Sequence, residues 1–150
     1  SEFNKNPIVR WFFARVGGIP VDRGTADMKS LRRAQHALQR GEDVLIYPEG
    51  TRIRTDDQPV EVHGGFALIA SMAKADIVPI AVCGFRDITP QGHHLMRPMK
   101  TWIRCGERLR LASAPEGLKR KERIQWFEDE AIRRMYEVRD QLRDEHPGRR

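Results

Sequence analysis

The sequence predicts an α/β domain: a mixed, partly parallel sheet flanked by helices. Three observations carry this. Residues 43–47 and 77–83 are short apolar runs of strand length, separated by a helix-like stretch from Gly64 to Lys74. Strand, helix, strand in that order gives a right-handed unit with its two strands parallel. Residues 118–143 repeat Ile124, Phe127, Ala131, Met135, Val138 and Leu142 at steps of three and four, the mark of a long helix with one apolar face. A chain of 150 residues is also long enough for one domain with an ordinary core.

Pro7 suits the first turn of a helix capped by Asn4 or Asn6, ending near Val16 before Gly17 and Gly18. Its Ile8, Val9, Trp11, Phe12, Phe13 and Val16 lie nearly all round, with Arg10 and Arg15 between. That composition fits either a core helix or a membrane interface. Residues 19–21 are a short extended piece, limited to a sheet edge or strand start by Pro20. Thr25 caps a helix over residues 26–40 with Met28, Leu31, Ala34 or Gln35, and Leu38 as its apolar stripe, and Gly41 closes it. After the strand at 43–47, residues 54–61 read as a loop. The helix from Gly65 to about Lys74 is apolar nearly all round and reads as a buried crossover. Residues 84–98 read as a long loop, 99–105 as a strand, and 108–111 as a short extension. On the last helix, Asp129 with Arg133 and Glu130 with Arg134 are spaced to pair on the outer face.

The formal charge is +6 and the pI about 9.8. This favours an acidic partner: nucleic acid, an anionic membrane, or a phosphorylated or CoA-linked substrate. Nucleic acid is disfavoured because the aromatics fall mostly on core faces and no stacking platform or recognition helix is visible. A nucleotide enzyme is disfavoured because neither glycine-rich phosphate-loop signature occurs. Cys83 and Cys105 are far apart in apolar segments and read as small core residues. His93 and His94 lack metal-site spacing, so no metal site and no cofactor are predicted. No apolar run approaches the length of about 18 residues that spans a bilayer.

The segment around which function is read is Tyr47-Pro48-Glu49-Gly50-Thr51-Arg52. A strand stopped by Pro48 delivers a glycine, a hydroxyl and a guanidinium to one place. By itself this is either a plain turn or an anion site at a strand end. Arg23, beside Gly24 after the short extended piece, is a second arginine delivered the same way.

These residues, in this order, resemble the lysophospholipid acyltransferase superfamily, most closely the bacterial 1-acylglycerol-3-phosphate acyltransferases. Gly18-Ile19-Pro20-Val21-Asp22-Arg23 looks like the family's second block, residues 47–52 like the third, and Ile77-Val78-Pro79-Ile80 like the fourth. The resemblance implies a glycerolphosphate acyltransferase-like fold. It implies acyl transfer from acyl-CoA or acyl carrier protein to lysophosphatidic acid or a related lysolipid, at a peripheral membrane surface on the cytoplasmic side. It also implies that Arg23, Glu49, Gly50, Thr51 and Arg52 bind the acceptor phosphate. Arginine would grip a phosphate bidentately at any working pH. Glu49 would orient an arginine or meet a glycerol hydroxyl.

The family's first block is a histidine with an aspartate five positions on, the general base and its orienter. Here His36 is followed at that distance by Gly41, His63 by Leu68, His93 by Pro98 and His94 by Met99, and His146 is too near the end. No catalytic residue is therefore predicted within this chain. The chain reads as a domain incomplete at its N-terminal side and inactive alone. The alternative is a noncatalytic lipid- or phosphate-binding protein on the same fold.

Overall fold

A computed structural model of the chain describes residues 7–19, 28–51, 53, 58, 60–89 and 95–147. The chain separates into two compact units, Ser1–Ile46 and Tyr47–Arg150. In the first, α1 (Pro7–Arg15) ends where its glycines predict. Gly17 takes a left-handed φ of 77°, and the Gly18 amide donates to the Phe13 carbonyl at 2.7 Å, a closure that stops the helix. Helix α2 (Met28–Gln39) buries Ser30, Ala34 and Ala37. The predicted stripe is shifted: Leu31 and Leu38 are half-buried, and Met28 is exposed. Ala34 of the predicted stripe is buried, and Ser30 and Ala37 beside it complete the tight face at i, i+4 and i+7.

The second unit holds α3 (Gly65–Ala73), β1 (Ile80–Cys83), α4 (Phe85–Ile88), β2 (Trp102–Cys105), a 3-10 turn (Leu111–Ser113) and α5 (Arg120–Glu145). Strands β1 and β2 form a two-stranded sheet. The pairing is antiparallel, with Ile80 opposite Cys105 and Cys83 opposite Trp102. Ile77 and Leu109 extend it through one further bridge. The α/β composition therefore holds, but the predicted parallel pair does not form among the described residues. Residues 43–47 carry no strand, and Leu45, Ile46 and Tyr47 are exposed. An apolar run becomes a strand only where a neighbour completes its ladder of hydrogen bonds. Here β2 supplies that neighbour for β1, and nothing described supplies one for 43–47.

Helix α5 packs against β1, β2, α3 and the 3-10 turn. Its predicted face is the real one: Phe127, Ala131 and Leu142 are buried, and Ile124, Met135 and Val138 are half-buried. The core gathers Phe127 and Leu109 among Ala67, Ala70 and Ala131. The far end of α5 is fastened to the sheet. Arg104 donates to both Glu145 oxygens at 2.9 and 2.5 Å, and Trp102 stacks on His146 at 4.4 Å. The Cys83 thiol donates to the His146 carbonyl. Cys83 is half-buried and Cys105 exposed, so the core role predicted for both is corrected. Strand alternation places Cys105 with Ile103, Val82 and Ile80 on the sheet face turned away from α5.

The predicted loop at 84–98 contains the short α4; His93 and His94 lie outside the described residues. Gly84 opens α4 at φ 85°, and a Cβ there would lie 2.5 Å from the Lys100 carbonyl oxygen. That neighbour is backbone and cannot swing aside. Gly84→Ala should therefore cost roughly 2–3 kcal/mol, from left-handed strain plus the clash. Urea melts would show this as a lower midpoint at unchanged slope.

On the outer face of α5, Glu130 pairs with Arg134 at 2.7 Å as predicted. Arg133 turns instead to Glu130 at 2.7 Å and to Glu137, while Asp129 accepts from Gln125. Hydrogen bonds from Arg133 and Arg134 hold Glu130 down at about 2. A carboxylate depressed in the folded state stabilises above its unfolded pKa, and the benefit fades as the pH falls from about 4.5 toward 2. Arg133 stands well in solvent, so the loss should be only about 1 kcal/mol. Glu130→Gln should flatten that part of the acid-stability curve in denaturant titrations between pH 5 and 2.5.

Candidate functional site

Pro48 and Glu49 are the inner residues of a tight turn. The Gly50 amide donates to the Tyr47 carbonyl at 3.1 Å, and Gly50 takes φ 60°. Proline second and glycine fourth is a favoured β-turn pattern, since proline presets its own φ. A second tie comes from far along the chain: the His63 amide donates to the Pro48 carbonyl at 2.9 Å. The His63 ring also closes over the turn. A Cβ on Gly50 would meet its Cδ2 at 3.4 Å and Nε2 at 3.6 Å. The turn is thus fixed from both sides, and the glycine is favoured by its left-handed backbone angle, while a Cβ there would make only ordinary contact with the ring.

Glu49 is half-buried and Thr51 is exposed. Burial pushes the Glu49 carboxyl above its ordinary range, and the positive charges of Arg139 and Arg143 on α5 pull the other way. Folding therefore favours its protonated form slightly, and this contribution declines as the pH rises past the unfolded value. Glu49 has cationic neighbours on α5, and the Thr51 hydroxyl stands in solvent.

Of the predicted site residues, Glu49, Gly50 and Thr51 sit on this one turn. Arg23 and Arg52 lie outside the described residues. Sequence reasoning missed His63, Arg139 and Arg143. For His63 no local signal existed, because its role depends on pairing with Pro48, a residue distant in sequence. Arg139 and Arg143 are four apart on a helix, so one face carries both, but nothing in that spacing points to Glu49. An open groove of about 480 Å³ lies at the other end of α5, between Leu118, Trp126 and Asp129, and shares no residue with the turn. Among the described residues no group of three or more His, Cys, Asp or Glu could hold a metal ion.

A family model described as Acyltransferase matches residues 1–83, which includes the turn. A 1-acyl-sn-glycerol-3-phosphate acyltransferase of Bacillus subtilis is 30% identical over 142 residues, 95% of this chain and 67% of that protein. One from Streptococcus pneumoniae is 33% identical over 85 residues, 56% of this chain and 30% of its own length. A lyso-ornithine lipid O-acyltransferase of Pseudomonas aeruginosa is 29% identical over 92 residues, 60% of this chain and 35% of its own. The crystal structure of a 1-acyl-sn-glycerophosphate acyltransferase from Thermotoga maritima superposes with a TM-score of 0.59 at 23% identity, over 92% of this chain and 54% of that one. At that identity the likeness speaks for the fold.

Proposed function

The chain belongs to the Acyltransferase family, and on that footing we propose that the protein transfers a fatty acyl group to a lysolipid in phospholipid biosynthesis. The donor in this reading is acyl-CoA or acyl carrier protein, and the acceptor is 1-acylglycerol-3-phosphate or a related lysolipid. The Bacillus and Streptococcus relatives, both 1-acyl-sn-glycerol-3-phosphate acyltransferases, support a glycerol-phosphate acceptor. The Pseudomonas relative widens the acceptor class to a lysolipid without a glycerol phosphate in its name.

The observation that carries the reading is the Gly50 turn. It is closed by its own hydrogen bond and by the His63 amide, has an exposed hydroxyl on Thr51, and lies within the family match. In this account Gly50, Thr51 and Arg52, with Arg23, receive the phosphate. Glu49 orients arginine or meets a glycerol hydroxyl. The acceptor hydroxyl gives its proton to a base, its oxygen attacks the thioester carbonyl, and the thiol leaves with a proton. The base is assigned to a His-x4-Asp block of a longer protein, because none of the five histidines here has an aspartate at that distance. The same fact favours a second reading, a noncatalytic lipid- or phosphate-binding protein. Acyl transfer assayed in the longer protein separates the two.

The binding half can be tested on this chain directly. Titration calorimetry with glycerol 3-phosphate should give saturable heat, while glycerol gives none. The affinity should fall as salt rises, as expected of a charge-assisted phosphate contact. Equal responses to the two compounds would remove the phosphate site.

A further inference from the structure

The fold brings an imidazole against the Gly50 turn. The His63 amide donates to the Pro48 carbonyl at 2.9 Å, so the backbone beneath the ring is tied to the turn itself. The ring presents its Cδ2–Nε2 edge to Gly50, where a Cβ would lie 3.4 Å from Cδ2 and 3.6 Å from Nε2. The other nitrogen, Nδ1, lies 4.0 Å from the Glu61 carboxylate. The His63 side chain is 63% exposed, and Thr51, next along the turn, is exposed as well. This side of the turn is therefore open to a dissolved ligand.

We propose that the protonated His63 ring donates from Nε2 to the acceptor phosphate seated at the Gly50 turn, so that acceptor binding strengthens as the pH falls. This rests on reading the turn as the acceptor-phosphate site, and it adds to that site a residue that no motif points to. A neutral imidazole carries one N–H and an imidazolium carries two. The carboxylate on the Nδ1 side draws the first N–H toward itself. Only the protonated ring then has a second N–H, on Nε2, to offer an anion. Gly50 has no side chain, so a phosphate oxygen can approach the backbone and the ring edge together. An arginine grips phosphate at any working pH, whereas an imidazole changes charge between about pH 5 and 8. His63 is thus the group at the turn that can make affinity vary in that range. The other charged groups around it are carboxylates and their partners. Glu61 faces the ring. Glu49 on the turn feels the positive charges of Arg139 and Arg143 of α5. Glu128 of α5 lies against Gly64, the next residue after the histidine.

Calorimetry with glycerol 3-phosphate on the 150-residue chain, at about pH 6 and about pH 8.5, brackets the range in which an imidazole titrates. At the lower pH the parent should bind about tenfold more tightly than His63→Gln, the loss of one charge-assisted hydrogen bond. At the higher pH the two should agree within about twofold, since a neutral ring gives up that bond. The ligand, Glu49, Glu61 and Glu128 are common to both proteins, so the ratio isolates the ring. His63→Lys, cationic throughout, should keep its advantage over His63→Gln at both pH values. In NMR spectra of the parent, glycerol 3-phosphate should move the assigned His63 ring signals and glycerol should not. That measurement needs no substitution, so it decides the matter even where a variant disturbs the turn. Ring signals that stay in place overturn the proposal. So does a parent-to-variant ratio that is the same at both pH values, because the ring would then only support the turn. Binding that Arg52→Ala weakens and His63→Gln leaves untouched removes this inference alone. A parent that binds no glycerol 3-phosphate at either pH removes the acceptor-phosphate reading with it.

Discussion

Arg52→Ala should weaken binding of a glycerol-phosphate acceptor by roughly ten- to a hundredfold, the range expected when a charge-assisted hydrogen-bonded contact is lost. Gly50 is held at φ 60° with its amide engaged to Tyr47, so the chain leaving Thr51 starts from a fixed point. An arginine placed next has a planar fork of donors that matches two phosphate oxygens at once. Arg52→Lys should recover only part of the loss, because an ammonium supplies charge without the fork. Arg23→Ala should act in the same direction. Combining it with Arg52→Ala should be less than additive if both arginines grip one phosphate. Calorimetry with glycerol 3-phosphate measures each variant, and a loss under threefold for Arg52→Ala would show that the anion sits elsewhere.

Phe127→Ala should destabilise the second unit by about 3–5 kcal/mol, the usual cost of removing a buried aromatic ring. The upper part of that range is expected for a structural reason. Phe127 and Leu109 are the largest fully buried side chains among the described residues, and the other buried members of their cluster are Ala67, Ala70 and Ala131. The buried alanines have no side chain long enough to swing into the space a ring leaves, so only the half-buried Phe66, Ile77, Leu111, Ile124 and Trp126 packed against the cluster can shrink the cavity. Against a total stability of about 5–15 kcal/mol this is a large fraction. The thermal midpoint should drop by about 10 °C or more for a chain of this size. Phe127→Leu retains most of the volume and should cost under half as much. Calorimetric melts of the two variants make the comparison. A Phe127→Ala midpoint within a few degrees of the parent would mean that the core lies elsewhere.

Local features of the fold are legible in the sequence. The step of three and four along α5 named the side that touches the sheet, down to Phe127, Ala131 and Leu142. Gly17 and Gly41 marked the ends of α1 and α2, and the proline and glycine of residues 47–50 marked the turn. Non-local facts were not legible. Residues 44–47 are as apolar as residues 80–83, but only the latter gained a strand partner, and composition cannot say which run finds one. Period-two alternation puts Ile103 and Cys105 on the same side of β2, yet it cannot say that this side faces away from α5. The short α4 was hidden because four residues are too few for a helical period to show. At the candidate site the turn was visible, and its support was not. His63 reaches Pro48 across fourteen intervening residues, and Arg139 and Arg143 act on Glu49 from the far end of the chain.

The account rests on one claim, that the turn from Tyr47 to Arg52 receives the acceptor phosphate. A crystal structure of the chain with lysophosphatidic acid bound tests it most directly. The account predicts the phosphorus atom within about 4 Å of the Arg52 guanidinium, the reach of a charge-assisted hydrogen bond, with the Thr51 hydroxyl alongside. A phosphate seated instead on the cationic cluster of Lys119, Arg120, Lys121 and Arg123 at the start of α5 would contradict it.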